Sequence, residues 1–214
     1  MDSISLANAL PSIFASEKIP YSGIWKTDVA FRRGNFYLVE ATSGAGKSSM
    51  CAYIYGSRID YTGEILFNSQ NIRNFSMDKW QSLRRNNLAY LPQDLDLFPE
   101  LTALENVQIK NCLTDAVESE RILEWFHLLG IDNRTDTPVA LMSVGQRQRV
   151  AIVRALCQPF DFLLLDEPVS HLDAENNRIA ADIITCEARR RGASVISTSV
   201  GNHLMLNYDA TIKL

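Results

Sequence analysis

Two hydrophobic rhythms alternate along the chain. Short apolar runs bounded by turn residues read as buried strands: Phe36 to Val39, Leu88 to Leu91 closed by Pro92, and Phe162 to Leu165. Gly63 to Phe67 reads as another, ending at the turn Asn68-Ser69-Gln70. The first 34 residues read as a β-rich layer with turns at Pro20-Tyr21-Ser22-Gly23 and Arg33-Gly34-Asn35, and Trp25 to Phe31 between them as a strand. Longer stretches carry a helical period. Ser48 to Tyr55 runs without Gly or Pro until Gly56, and Met77 to Arg85 and Thr102 to Lys110 read as further helices. Ile122, Trp125, Phe126 and Leu129 stand at i, i+3, i+4 and i+7, with Gly130 as the stop. Val144 to Cys157 is a helix carrying Arg147, Arg149 and Arg154, which read mostly as a solvated face.

Composition narrows the class. With 214 residues, 46% hydrophobic and 21% charged, the chain can bury a substantial core, and one α/β domain over 1–214 with a subdomain fits better than two independent domains. A formal net charge of −4 speaks against a general nucleic-acid partner, which favours basic surfaces. Cys51, Cys112, Cys157 and Cys186 are scattered without a C-x-x-C pair, so reduced thiols are expected rather than disulfides or zinc ligands. Met1-Asp2-Ser3 lacks a basic n-region and Pro11 interrupts the mild apolar stretch that follows, so no signal peptide is expected. No run approaches the ~20 apolar residues of a membrane helix. A role at a membrane would pass through a partner.

Candidate chemistry concentrates at two strand ends. Ala41-Thr42-Ser43-Gly44-Ala45-Gly46-Lys47-Ser48-Ser49 lies between a strand and a helix and meets the phosphate-loop pattern G-x-x-x-x-G-K-[ST] except at its first position. Its glycines let backbone N–H groups turn toward phosphate oxygens, and the helix N-terminus adds positive potential. Lys47 would reach the β- and γ-phosphates and Ser48 would sit on Mg²⁺. The bland alternative is a glycine-rich turn. Phe162-Leu163-Leu164-Leu165-Asp166-Glu167 is apolar on both faces, as a central parallel strand must be, and ends in two carboxylates. Ligands bind beyond such carboxyl ends. Asp166 is suited to Mg²⁺, and Glu167 to orienting or deprotonating an attacking water. An acidic strand end that merely caps a turn is the alternative, weakened by the Lys47-Ser48 loop on the same chain.

The ordered set of motifs resembles the nucleotide-binding subunit of ATP-binding cassette (ABC) transporters over nearly the whole chain. It comprises the loop 41–49, Gln93 in Leu91-Pro92-Gln93-Asp94, Met142-Ser143-Val144-Gly145-Gln146, Asp166-Glu167-Pro168 and Ser170-His171-Leu172-Asp173. Ser143 to Ala151 resembles the family signature LSGGQ and its helix. The resemblance implies a P-loop NTPase core of mostly parallel sheet with flanking helices, an N-terminal antiparallel β layer and an inserted helical subdomain at about 94–158 that docks on a membrane permease. It also implies a homodimer, or paired cassettes, around ATP and Mg²⁺, with the loop of one copy facing Ser143, Val144, Gly145 and Gln146 of the other. Gln93 would sense Mg²⁺ and the attacking water, and Asp173 would communicate across the dimer. An aromatic of the N-terminal layer would stack on adenine, Phe14 first and Tyr21 second. The implied location is cytoplasmic, on the inner face of the membrane through the permease.

Three departures stand out. Ala41 replaces the first loop glycine, Val144 replaces a signature glycine, and Ser199 stands where the family's switch histidine is expected. His203 is misplaced for that role and reads as surface or packing. The leading expectation is a transporter ATPase of the small kind that serves lipoprotein-release or mechanotransmission-type complexes. A degenerate cassette acting as an ATP-dependent clamp, and a soluble non-transport ABC ATPase, are the alternatives. The latter usually carries a long coiled-coil insertion or a second cassette, neither of which is seen in this sequence.

Overall fold

The computed structural model describes residues 1–16 and 22–214, so Tyr21 lies outside the described residues. Strands β3 (Phe36–Glu40), β6 (Leu88–Leu91), β7 (Phe162–Asp166), β8 (Ser194–Ser199) and β9 (Ala210–Lys213) form a parallel sheet in the order β6-β7-β8-β3-β9. Strands β1 (Ser3–Pro11), β2 (Asp28–Arg32), β4 (Tyr61–Phe67) and β5 (Gln70–Asn71) form an antiparallel sheet in the order β2-β1-β4-β5. The helices are α1 (Lys47–Tyr55), α2 (Met77–Asn86), α3 (Ala103–Asn111), α4 (Ser119–Leu128), α5 (Val144–Leu156) and α6 (Ala174–Arg190).

The parallel sheet is covered on both faces, and the two-residue period of its strands sorts side chains between two cores. Phe162, Leu164, Tyr37, Val39 and Ile196 face α1 and the antiparallel sheet. Leu163, Leu165, Phe36 and Val195 face α5, α6 and the other helices, where Trp125, Phe126 and Leu129 are also buried. The architecture is thus α/β, a P-loop NTPase-like fold with an antiparallel layer.

Local signals explain most helix starts. Thr102 and Glu105 form a capping box ahead of α3, and Ser143 and Gln146 form another ahead of α5. The expected strand Trp25 to Phe31 begins later, at Asp28. Residues Ile24 and Trp25 instead lie in a turn whose N–H groups donate to the Ser22 hydroxyl, and the Trp25 indole is drawn beneath the loop at Ala45. The arginines of α5 are likewise not a solvated face. Arg149 donates to the carbonyls of Gly145 and Leu129 and to Asn176, and Arg154 donates to the Asp96 carbonyl at 2.8 Å. Arg147 is half-buried. Long stems with several donors can tie loops to a helix while covering apolar surface. All four cysteines are free thiols.

Glu187 on α6 anchors the helical side through charge. It is 2% exposed and meets Arg190 at 2.8 Å, Arg121 at 3.3 Å and Arg191 at 3.4 Å. Burial pushes its pKa up, but the arginines outweigh burial and hold it below the usual carboxylate range. A lowered folded pKa contributes stability that is present above about pH 4.3, the unfolded value, and is lost as pH falls through the folded one. Glu187→Gln should therefore lower the melting temperature at neutral pH, and the gap to wild type should close as the pH drops through that window. The loss should be less than the ~3–5 kcal/mol of a fully buried pair, because Arg121 and Arg190 keep contact with water. Thermal melts from pH 7 to pH 3 test this, and a gap independent of pH would refute it.

Candidate functional site

The loop after β3 curls back to open α1. Gly44 and Gly46 have φ of +81° and +97°, a region costly for residues with a Cβ. A Cβ on Gly46 would also come within 3.1 Å of the Phe14 and Trp25 rings. Trp25 holds the loop from below, its indole donating to the Ala45 carbonyl at 2.9 Å. Ala41 is not among the residues with positive φ, so its Cβ sits in the loop without left-handed strain, and its N–H donates to the Ser199 carbonyl. Lys47 is 4% exposed, donates to the Thr42 carbonyl at 3.1 Å and lies 3.5 Å from Glu167. The Ser48 hydroxyl donates to Gln93 Oε1 at 3.4 Å.

These residues converge because four parallel strands end at one edge. β3 leads into the loop, β6 into Gln93, β7 into Glu167 and β8 into Ser199. Asp166 is 1% exposed; its Oδ1 accepts from Thr198 at 2.6 Å, while Oδ2 is buried with no partner among the described residues. Glu167 sits at φ +51°, with its N–H on the Thr198 hydroxyl and its carbonyl on Gln148. A cavity of about 420 Å³ opens over this edge, lined by Ser43, Gly44, Gly46, Lys47, Ser48, Ser49, Gln93 and Glu167, with Phe14 beside them.

Sequence reading missed other members of the wall. Ile13, 68% exposed, and Val200, 46% exposed, line the cavity, as does Arg58, which donates to Ser49 at 3.1 Å and pairs with Asp60. No motif marks them, since they reach the site from a short 3₁₀ turn and two loops whose path only the fold sets. Thr42 and Ala45 form the loop backbone. Ser199 is 1% exposed, its hydroxyl has no partner among the described residues, and the cavity wall at this strand end is Val200 instead. His203 is exposed, with its ring edge-on to Tyr208.

Ser143, Val144, Gly145 and Gln146 do not line the cavity. They open α5 elsewhere, Ser143 and Val144 exposed, the latter by 40%. Ser143 accepts from the Gln146 N–H at 3.3 Å, and its own N–H donates back to the Gln146 side chain. A Cβ on Gly145 would fall 2.9 Å from the His171 carbonyl, so glycine here lets the signature helix pack on the segment carrying Asp173. Asp173 is exposed and caps α6, and the bond from the Asn176 N–H holds its carboxyl below the usual range.

The donor set suits a magnesium-bound nucleoside triphosphate. Among the described residues no group of three or more His, Cys, Asp and Glu could cage a metal. Mg²⁺ instead prefers one or two carboxylates together with phosphate oxygens and waters. The orphaned Asp166 Oδ2, Ser48 and Gln93 supply oxygens of that kind. A glycine-rich loop at a helix start, with a buried lysine and a paired carboxylate, defines a P-loop nucleotide-binding protein.

The ABC transporter family profile matches residues 26–170, and the chain belongs to that family. It is 31% identical over 174 residues to the lipoprotein-releasing system ATP-binding protein LolD of Syntrophus aciditrophicus (strain SB), covering 79% of this chain and 77% of that protein. It is 29% identical over 191 residues to the ABC transporter ATP-binding protein YtrE of Bacillus subtilis (strain 168), covering 85% and 83%. Among solved structures it resembles the dimeric bacterial ABC transporter cassette MJ0796, with a TM-score of 0.77 at 26% identity over 92% of this chain and 87% of that one. The post-hydrolysis MJ0796 dimer bound to ADP and Pi gives a TM-score of 0.78 at 25% identity, over 93% and 88%.

Lys47 is the cation of this loop, and charge-assisted bonds to phosphate are the stronger class. Lys47→Ala should abolish measurable Mg-ATP binding by calorimetry while circular dichroism stays native. Wild-type affinity in that variant would remove the phosphate-loop reading.

Proposed function

We propose that the protein is the ATP-hydrolysing subunit of an ABC transporter, closing as a homodimer around Mg-ATP to drive a separate membrane permease from the cytoplasmic face. The observation that carries this is that the site is half a site. The loop, Gln93 and Glu167 share one cavity, while the exposed start of α5 lies outside it. That start, with Ser143 and free N–H groups at a helix N-terminus, suits the γ-phosphate of a nucleotide held by a second copy. In this reading Gly145 allows close approach, Gln146 braces Ser143, and Asp173 communicates across the interface. Val144 narrows the approach with a β-branched side chain.

We assign the residue roles by position. The loop 41–49 binds the phosphates, Lys47 neutralises them, and Phe14 offers a ring at the mouth for the adenine. Ser48, Gln93 and Asp166 would hold Mg²⁺, which when bound would draw charge from the phosphate oxygens. Glu167 orients the attacking water and accepts its proton. Residues 94–158 act as the helical subdomain that meets the permease. No helix among the described residues is long and apolar enough to cross a membrane, so attachment through that partner fits. The similarity to LolD and YtrE supports transport over a soluble role.

Glu167→Gln keeps the shape but loses the basic oxygen. It should bind ATP and elute as a nucleotide-bridged dimer on size-exclusion chromatography. A monomer with ATP bound would count against the two-copy site.

Ser199 favours slow turnover. Its hydroxyl is buried and short, whereas a donor acting on developing charge is typically worth about 10²–10³ in rate. Ser199→His should raise phosphate release at saturating Mg-ATP with affinity little changed, using Glu167→Gln as the blank. A wild-type rate already typical of active cassettes and unmoved by the substitution would sink this expectation. If neither protein turns over, the ATP-dependent clamp becomes the better reading.

A further inference from the structure

The strand between the phosphate loop and the acidic pair carries a group that the function above leaves unused. β8 lies between β3 and β7, and Thr198 stands directly opposite Asp166 in the register. Thr198 is fully buried. Its hydroxyl donates to Asp166 Oδ1 at 2.6 Å and accepts from the Glu167 N–H at 3.1 Å. One hydroxyl has one proton and two lone pairs, so a single side chain ties both acidic residues at once. Its β-branched χ1 is stiff, which suits a fixed bridge.

The bridge meets an unusual backbone. Glu167 holds φ at +51°, a conformation that residues with a Cβ rarely adopt. Its peptide is gripped at both ends, the N–H by Thr198 and the carbonyl by Gln148 Nε2 at 3.3 Å. This left-handed turn sends the Glu167 side chain into the cavity, 3.5 Å from Lys47, rather than along the strand. The same hydroxyl occupies Oδ1 of Asp166 and leaves the buried Oδ2 without a partner among the described residues.

We propose that Thr198 is a positioning residue for hydrolysis, holding the Glu167 peptide in its left-handed turn and Asp166 in a single orientation. The proposal rests on the reading of Glu167 as the base. A threonine placed only to fill a strand could be exchanged for valine, which has the same shape and lacks the hydroxyl. A positioning threonine could be exchanged only for serine. Misplacing a reacting group by about 1 Å can cost roughly 10²-fold in rate, while ground-state binding by the loop is untouched.

The test is steady-state phosphate release against Mg-ATP concentration for wild type, Thr198→Val, Thr198→Ser and Glu167→Gln. Thr198→Val should lose roughly 10²-fold in kcat with KM unchanged, and Thr198→Ser should keep most of the wild-type kcat. If the valine variant fails to bind Mg-ATP, Thr198→Cys carries the comparison, since it keeps a weak donor and should show a reduced kcat at unchanged KM. A wild-type kcat in Thr198→Val (or, where that variant does not bind, in Thr198→Cys) overturns the proposal, as does a Thr198→Ser as slow as Thr198→Val. A wild type no faster than Glu167→Gln overturns instead the base reading beneath it.

Discussion

A parallel sheet must be covered on both faces and can be joined only by crossovers, and much of this molecule follows from that constraint. The crossovers place every strand's carboxyl end at one edge. The phosphate loop, Gln93, the acidic pair and Ser199 come from four segments far apart in sequence, yet each leaves a strand at that edge. β8 in the middle is the mechanical link. Its end accepts the Ala41 N–H on one side and bonds Asp166 and Glu167 on the other.

The second consequence concerns what the edge does not include. The signature segment opens α5, whose apolar face is committed to the helical core through Val150, Val153 and Leu156. That burial fixes the helix and turns its N-terminal residues away from the cavity of their own chain. Gln148, buried in the same helix, bonds the Glu167 carbonyl and Ser170 and accepts from the His171 N–H. The helix start and the acidic strand end are therefore mechanically connected although they do not share a pocket. A shift at one end of α5 would be felt at the Glu167 peptide.

The departures from the family pattern differ in physical weight. Ala41 costs little, because its backbone is not in the left-handed region where a Cβ is penalised. Val144 changes the surface, adding an exposed branched side chain at a helix start. The short Ser199 hydroxyl ends inside the protein, and the apolar Val200 beside it stands on the cavity wall.

Much was legible in the chain itself. Helix stops and caps depend on residues a few positions apart, so Gly56 and Gly130 as stops could be read locally. Uninterrupted apolar runs announced the buried strands around Leu38, Ala89 and Leu164, and the phosphate loop and acidic pair were visible because their chemistry needs contiguous residue types. Other features depended on neighbours distant in sequence. Trp25 lies in a turn rather than a strand because its indole reaches Ala45. Arg149 and Arg154 face carbonyls of other loops rather than water. Ile13, Arg58 and Val200 join the cavity, and Thr198 bridges two carboxylate residues, only once the sheet order is set. Local spacing determines what a segment can form and what chemistry it can offer. Which segments meet is decided by packing and strand pairing across the whole chain, and these have no local signature.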